Sequence, residues 1–96
     1  MIRIVRLTFK PEHIEAFSNL FNERKERIRG FEGCSLLELW QDKENPGIFY
    51  TYSLWDDHSN LDDYRLSAFF RETWSTVKTW FAAEPIAFSA YKIQQL

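Results

Sequence analysis

The chain has 96 residues, twelve basic and fourteen acidic, for a formal net charge of −2, and 18% of it is aromatic. A chain of this length builds one domain, taken as residues 1–96, with a single modest core, and its charge balance excludes the basic surface that nucleic acid requires. No apolar run approaches the roughly 20 residues of a membrane helix, the opening MIRIVRLTFK is too broken by arginines for a secretion signal, and the single Cys34 cannot form an internal disulfide. The expectation is a soluble cytoplasmic protein with neither nucleic acid nor membrane as partner.

Ile2 to Phe9 is β-branched and apolar, alternating loosely with Arg3 and Arg6, and reads as a first strand. Pro11 opens a helix, with Glu12 and Glu15 in the turn where the helix dipole favours negative charge. Ile14, Phe17, Phe21 and Ile28 recur at helical spacing with Leu20 beside them, while Glu23 to Arg27 form a mixed-charge solvated face. Gly30 is placed as the glycine just past the helix end. Cys34 to Gln41 is a second strand and Ile48 to Trp55 a third, joined through the turn-forming DKENPG into a hairpin.

Asp56 to Asn60 opens a second helical region, with Ser59 and Asp62 spaced as a capping box variant. Leu61, Tyr64 and Leu66 belong to a short helical piece, and Phe70, Trp74, Val77 and Phe81 mark the face of a longer one. Pro85 ends it, and Ile86 to Ile93 makes a last strand. Strand, helix, strand, strand, helix, strand is the order of a ferredoxin-like α+β fold, βαββαβ, with a four-stranded antiparallel sheet and its helices on one face.

Apolar residues occupy both parities of these strands: Ile2 and Ile4 against Val5, Leu7 and Phe9; Leu36 and Trp40 against Leu37 and Leu39; Tyr50 and Tyr52 against Phe49 and Trp55. Helices cover one face only. The other, left in water, exceeds the apolar patch a monomer normally shows, so a homodimer joined through the sheet faces is expected.

A ferredoxin-like chain of this length with the connector GFEGC, a hairpin ending in Trp55 and the run Leu61…Tyr64…Phe70…Trp74 resembles the antibiotic biosynthesis monooxygenase (ABM) superfamily of dimeric α/β barrels, from Ile2 to about Lys92. The resemblance implies one of several activities. Some relatives oxygenate aromatic polyketides without metal or organic cofactor, and some degrade haem with an Asn on the first strand, a Trp ending the third and a His on the last long helix. Here Trp55 is kept, but Val5 stands where the Asn would be and Trp74 about where the His would be. Valine cannot hydrogen-bond and an indole cannot ligate iron, so haem degradation by that triad is not expected.

The remaining reading is a cofactor-independent monooxygenase acting on a small aromatic or hydrophobic molecule in a sheet–helix cleft. Its alternative is a non-catalytic dimer that binds a small molecule or haem, and a third possibility is a structural dimer whose aromatics merely fill the core. Trp55 shares its strand face with Phe49, Thr51 and Ser53, a mixture of aromatics and small hydroxyls typical of ligand pockets. Tyr64, Phe70 and Trp74 would face them from the helices, with the Trp55 N–H and the hydroxyls of Thr51, Ser53 and Tyr64 as donors. No general base is evident. Asp56, Asp57, Asp62 and Asp63 match no calcium loop and no metal is expected. His58 reads as a capping or surface residue, and Cys34 as a small buried apolar one.

Overall fold

The computed structural model describes residues 1–96 and gives four strands and three α-helices: β1 (Ile2–Thr8), α1 (Ile14–Arg29), β2 (Cys34–Gln41), β3 (Ile48–Trp55), α2 (His58–Leu66), α3 (Ala68–Val77) and β4 (Ile86–Ala90). Single 3-10 turns at Pro11–His13 and Lys78–Trp80 precede α1 and follow α3. The strands form one antiparallel sheet in the order β2-β3-β1-β4. The ferredoxin-like fold is therefore the one the sequence order predicts.

Side chains of one sheet face meet the helices. Leu7 and Phe9 of β1 and Phe49 of β3 pack with Phe17 of α1 and Val77 of α3. Phe9 stacks on Phe17 at 4.2 Å between ring centroids, and Phe49 meets Phe17 edge-on at 5.1 Å. A second, smaller cluster joins Cys34 and Trp55 of the sheet to Leu61 of α2. Beyond α3 the chain runs back along the end of β1, where Lys10 N–H donates to Trp80 C=O and Ala82 N–H to Thr8 C=O.

Gly30 lies just past the end of α1 at Arg29, as expected, in a right-handed conformation (φ −79°); the left-handed glycine is Gly33, at φ +86°. Gly33 also lies so close to α2 that an added Cβ would stand 2.3 Å from the Asn60 side chain. Three local expectations are corrected. Asp57, not Ser59, caps α2: its carboxylate accepts from the Ser59 N–H at 3.0 Å and the Ser59 hydroxyl at 2.7 Å. Those bonds to the ionised form hold Asp57 below the usual carboxylate range. The buried residues of α3 are Phe69 and Val77, leaving Phe70 and Trp74 half-buried. Finally, β4 stops at Ala90 rather than Ile93, because Ala90 pairs with Ile2 at the start of β1 and no β1 residue remains to pair with Tyr91.

The opposite sheet face carries Ile4, Trp40, Tyr52, Ile86 and Phe88, among others, and no element of the chain covers it. Trp40 stacks on Tyr52 at 4.9 Å, and Trp40, Ile86 and Phe88 are 41%, 46% and 50% exposed.

Candidate functional site: a cavity between sheet and helices

The helix-facing side chains of β3 read Phe49, Thr51, Ser53, Trp55. Large residues at both ends meet the helices, and small ones between them leave a gap. Register extends that gap across the sheet: Thr51 pairs with Leu39 and Val5, Val5 with Ala87, and Ser53 with Leu37 and Arg3. Over this floor lies a cavity of about 370 Å³, at the small end of the ~300–1,000 Å³ typical of ligand pockets. Its lining is mostly hydrophobic.

The roof is aromatic and has a bend built into it. Ser67 ends α2 and caps α3 in an extended conformation (φ −69°, ψ 152°). Its hydroxyl donates to the Tyr64 carbonyl at 2.6 Å and accepts from the Phe70 N–H at 3.1 Å. Tyr64 and Phe70 thereby meet edge to face at 5.1 Å, and Phe70 stacks on Trp74 at 5.7 Å. Tyr64 in turn stacks on Trp55 at 5.4 Å. Phe17, Phe21 and Ile28 of α1 close the far wall.

Six of the seven residues singled out from sequence line this cavity: Thr51, Ser53, Trp55, Tyr64, Phe70 and Trp74. Phe49 does not. It is 4% exposed and packs into the solid cluster with Phe9 and Phe17, since its place opposite Leu7 lies one pair beyond the small residues. The expected donor role of Trp55 is also corrected. Its indole, 2% exposed, donates to Ser53 Oγ at 2.9 Å and so has no N–H left for a guest. Ser53 accepts that bond and keeps its own O–H proton to give.

Tyr64 lines the cavity, and its hydroxyl makes no hydrogen bond within the chain. Burial, with a smaller contribution from nearby Cys34, pushes its phenol well above the usual value. Tyr64 is thus a neutral donor rather than a base. Burial likewise raises the Cys34 thiol, in keeping with an unreactive buried cysteine.

Sequence reasoning missed the cations. Arg3 and Arg65 both line the cavity, and no carboxylate or histidine does. Arg3 and Arg6 look equivalent in sequence, but three residues along a strand separate them onto opposite faces. Arg3 shares the inward parity of Val5, Leu7 and Phe9, a place where an apolar residue belongs. Its Nη1 donates to Ser89 Oγ at 3.2 Å across β4. Burial chiefly, and then repulsion from Arg65, lower its pKa, with Asp62 acting in the opposite sense.

The donor set does not fit an iron or other metal centre. His13 stacks on Trp80 at 5.8 Å, His58 pairs with Asp62 at 3.3 Å, and neither borders the cavity. No three His, Cys, Asp or Glu side chains come together as a metal site.

A four-stranded antiparallel sheet with helices on one face and an aromatic-roofed cavity between them defines a ferredoxin-like α+β protein. The sequence pattern of the antibiotic biosynthesis monooxygenase family matches residues 1–74, and the chain belongs to that family. Its fold is shared with an antibiotic biosynthesis monooxygenase at 21% identity and TM-score 0.89, covering 98% of this chain and 100% of the other. A protein of Nitrosomonas europaea assigned to the same family aligns at 18% identity and TM-score 0.89, over 96% and 88% of the two chains. A conserved protein from Methanosarcina mazei Go1 is 30% identical, with TM-score 0.84 over 91% and 87%. No curated protein sequence matches the chain. No helix is long and apolar enough to cross a membrane.

Proposed function

We propose that the chain, acting as one domain, is a cofactor-independent monooxygenase for a small aromatic or hydrophobic molecule held in the sheet–helix cavity. The observation that carries this reading is a cavity of about 370 Å³ with aromatic walls and hydroxyl donors in a member of a monooxygenase family. Oxygen insertion without a cofactor asks the substrate to supply every electron. For an anthrone-type CH₂, loss of a proton gives an electron-rich anion, which passes an electron to dioxygen and then couples to it as a peroxide. Breaking the O–O bond with loss of the second proton leaves a carbonyl on the substrate and releases water. Carbon gives up four electrons, one oxygen atom stays in the product and the other leaves as water.

The protein's part in that sequence is enclosure and stabilisation of the anion. Stacking between Trp55, Tyr64, Phe70 and Trp74 fits the guest's rings, and a dry site strengthens each donor. Ser53 and Tyr64 supply O–H groups, and the positive potential of the arginines favours the ionised substrate. With no carboxylate or imidazole on the wall, the reading requires a substrate acidic enough to ionise on binding.

Oxygen uptake with a panel of anthrones and quinols tests the reaction. Consumption above the buffer rate is expected, together with loss of consumption in Thr51→Leu. A panel that binds without consuming oxygen would instead identify a non-catalytic carrier. The proposed working unit is a homodimer in the reducing cytoplasm, joined through the face that carries Trp40, Tyr52 and Phe88. Light scattering should give twice the chain mass at micromolar concentration, and the monomer mass would overturn the dimer.

A further inference from the structure

We propose that the guest carries a permanent anionic group, a carboxylate beside its aromatic rings, seated between Arg3 and Arg65. The inference deepens the reading of the cavity as a small-molecule site and rests on it.

Two cations face one void, and nothing in the chain neutralises them there. The lining holds Arg3 and Arg65 and no acid, and His58–Asp62 is the only ion pair in the chain, so neither arginine has a carboxylate within bonding distance. The carboxylate of Asp62, the acid that acts on Arg3, is engaged by His58 at 3.3 Å. Solvation alone accounts for Arg65, which is exposed and sits in the last turn of α2, where the helix dipole favours a cation. Arg3 is placed differently. It interrupts the apolar inward face of a central strand with its stem partly buried, and its guanidinium, exposed where it gives one N–H to Ser89, keeps most of its five donors free at the void. Both guanidinium groups open onto one void with donors to spare, and an anion seated there is held by two cations together.

The surroundings select the anion's shape. Ser53, the β3 neighbour of Arg3 in register, has an O–H proton to donate because its lone pair already takes the Trp55 indole. Tyr64 is a neutral donor that directly precedes Arg65 on α2. This end of the cavity therefore presents donors, and a planar guanidinium matches the two oxygens of a carboxylate. The other end, walled by Phe21, Phe70 and Trp74, is chiefly rings and alkyl groups, with the Thr73 side chain beside them. A flat apolar body with one anionic end satisfies both.

Isothermal titration calorimetry with 2-naphthoate, 2-naphthamide and 2-naphthol tests this. Naphthoate should bind at least about tenfold more tightly than either neutral analogue, the scale of one charge-assisted contact. Arg65→Met, at an exposed helix end, should weaken naphthoate far more than naphthamide and so remove most of that preference, and a folded Arg3→Met should do the same. Equal binding of the three probes to the unaltered protein, or an unchanged preference in Arg65→Met, would overturn the anionic guest while leaving the cavity as a binding site. Failure of all three to bind would overturn the site itself and this inference with it.

Discussion

Along the same two strands, the space beneath the helices is solid at one end and hollow at the other. Leu7 opposite Phe49 is filled by rings stacked as closely as 4.2 Å, whereas Val5 opposite Thr51 and Arg3 opposite Ser53 border about 370 Å³ of open space. The backbone, the pairing and the overlying helices are common to both. Side-chain volume at two positions of β3 makes the difference. Leu7, Phe17 and Val77 belong to the packed cluster and also form the wall it shares with the cavity, so substitutions on either side of that wall should fail differently.

The largest effect is expected at the solid end. Phe17→Ala removes a ring that touches Phe9, Phe21 and Phe49 and should cost about 3–5 kcal/mol, read from the urea midpoint. A loss under about 1 kcal/mol would show that this end is not a closed core. Next, Ser53→Ala strips the acceptor from a buried indole N–H and should cost about 1–3 kcal/mol, with a change in Trp55 fluorescence. If stability is unchanged, the indole has found another acceptor and the floor has rearranged.

Filling the hollow end should do the reverse of Phe17→Ala. Thr51→Leu adds apolar bulk where there is room, and stability should stay within about 1 kcal/mol while ligand heat in calorimetry disappears. Parallel loss of stability would mean that the space is already occupied by packing. The smallest effect concerns the rim. The folded Asp57 carboxylate titrates below the free residue because Ser59 bonds its ionised form. Its stabilisation is therefore complete above the free aspartate value of about 3.9 and is lost as pH falls through the lower folded value. Asp57→Asn should flatten the acid limb of the stability curve over that interval, and an unaltered limb would show that the cap contributes nothing to it.

Much of this contrast is legible in residue order. Phe49, Thr51, Ser53 and Trp55 alternate with the outward Tyr50, Tyr52 and Leu54, so the large-small-small-large series is visible in the bare sequence. Phe49 cannot be assigned from that series, because whether a large residue ends a cavity or closes a core depends on its neighbour across the sheet, here Leu7. Arg3 is hidden for a related reason. Charge on a strand suggests solvent, and only parity relative to Leu7 and Phe9 reveals that it points inward. The length of β4 is likewise unreadable from Ile86–Ile93 alone, since a strand ends where its partner does. Trp55 looks like a free donor only while Ser53, two places earlier on the same face and its natural acceptor, is left out.

Ser67 is the one residue between the two helices above the cavity, and its hydroxyl serves as the terminus of one and the start of the other. With so short a joint, α2 and α3 have no slack in which to slide independently. The pitch at which Tyr64 and Phe70 lean towards each other follows from the backbone angles of one serine. Headroom along the whole length of the ceiling is therefore governed from a point that touches no guest, and replacing that oxygen would alter which shapes fit without altering a single wall.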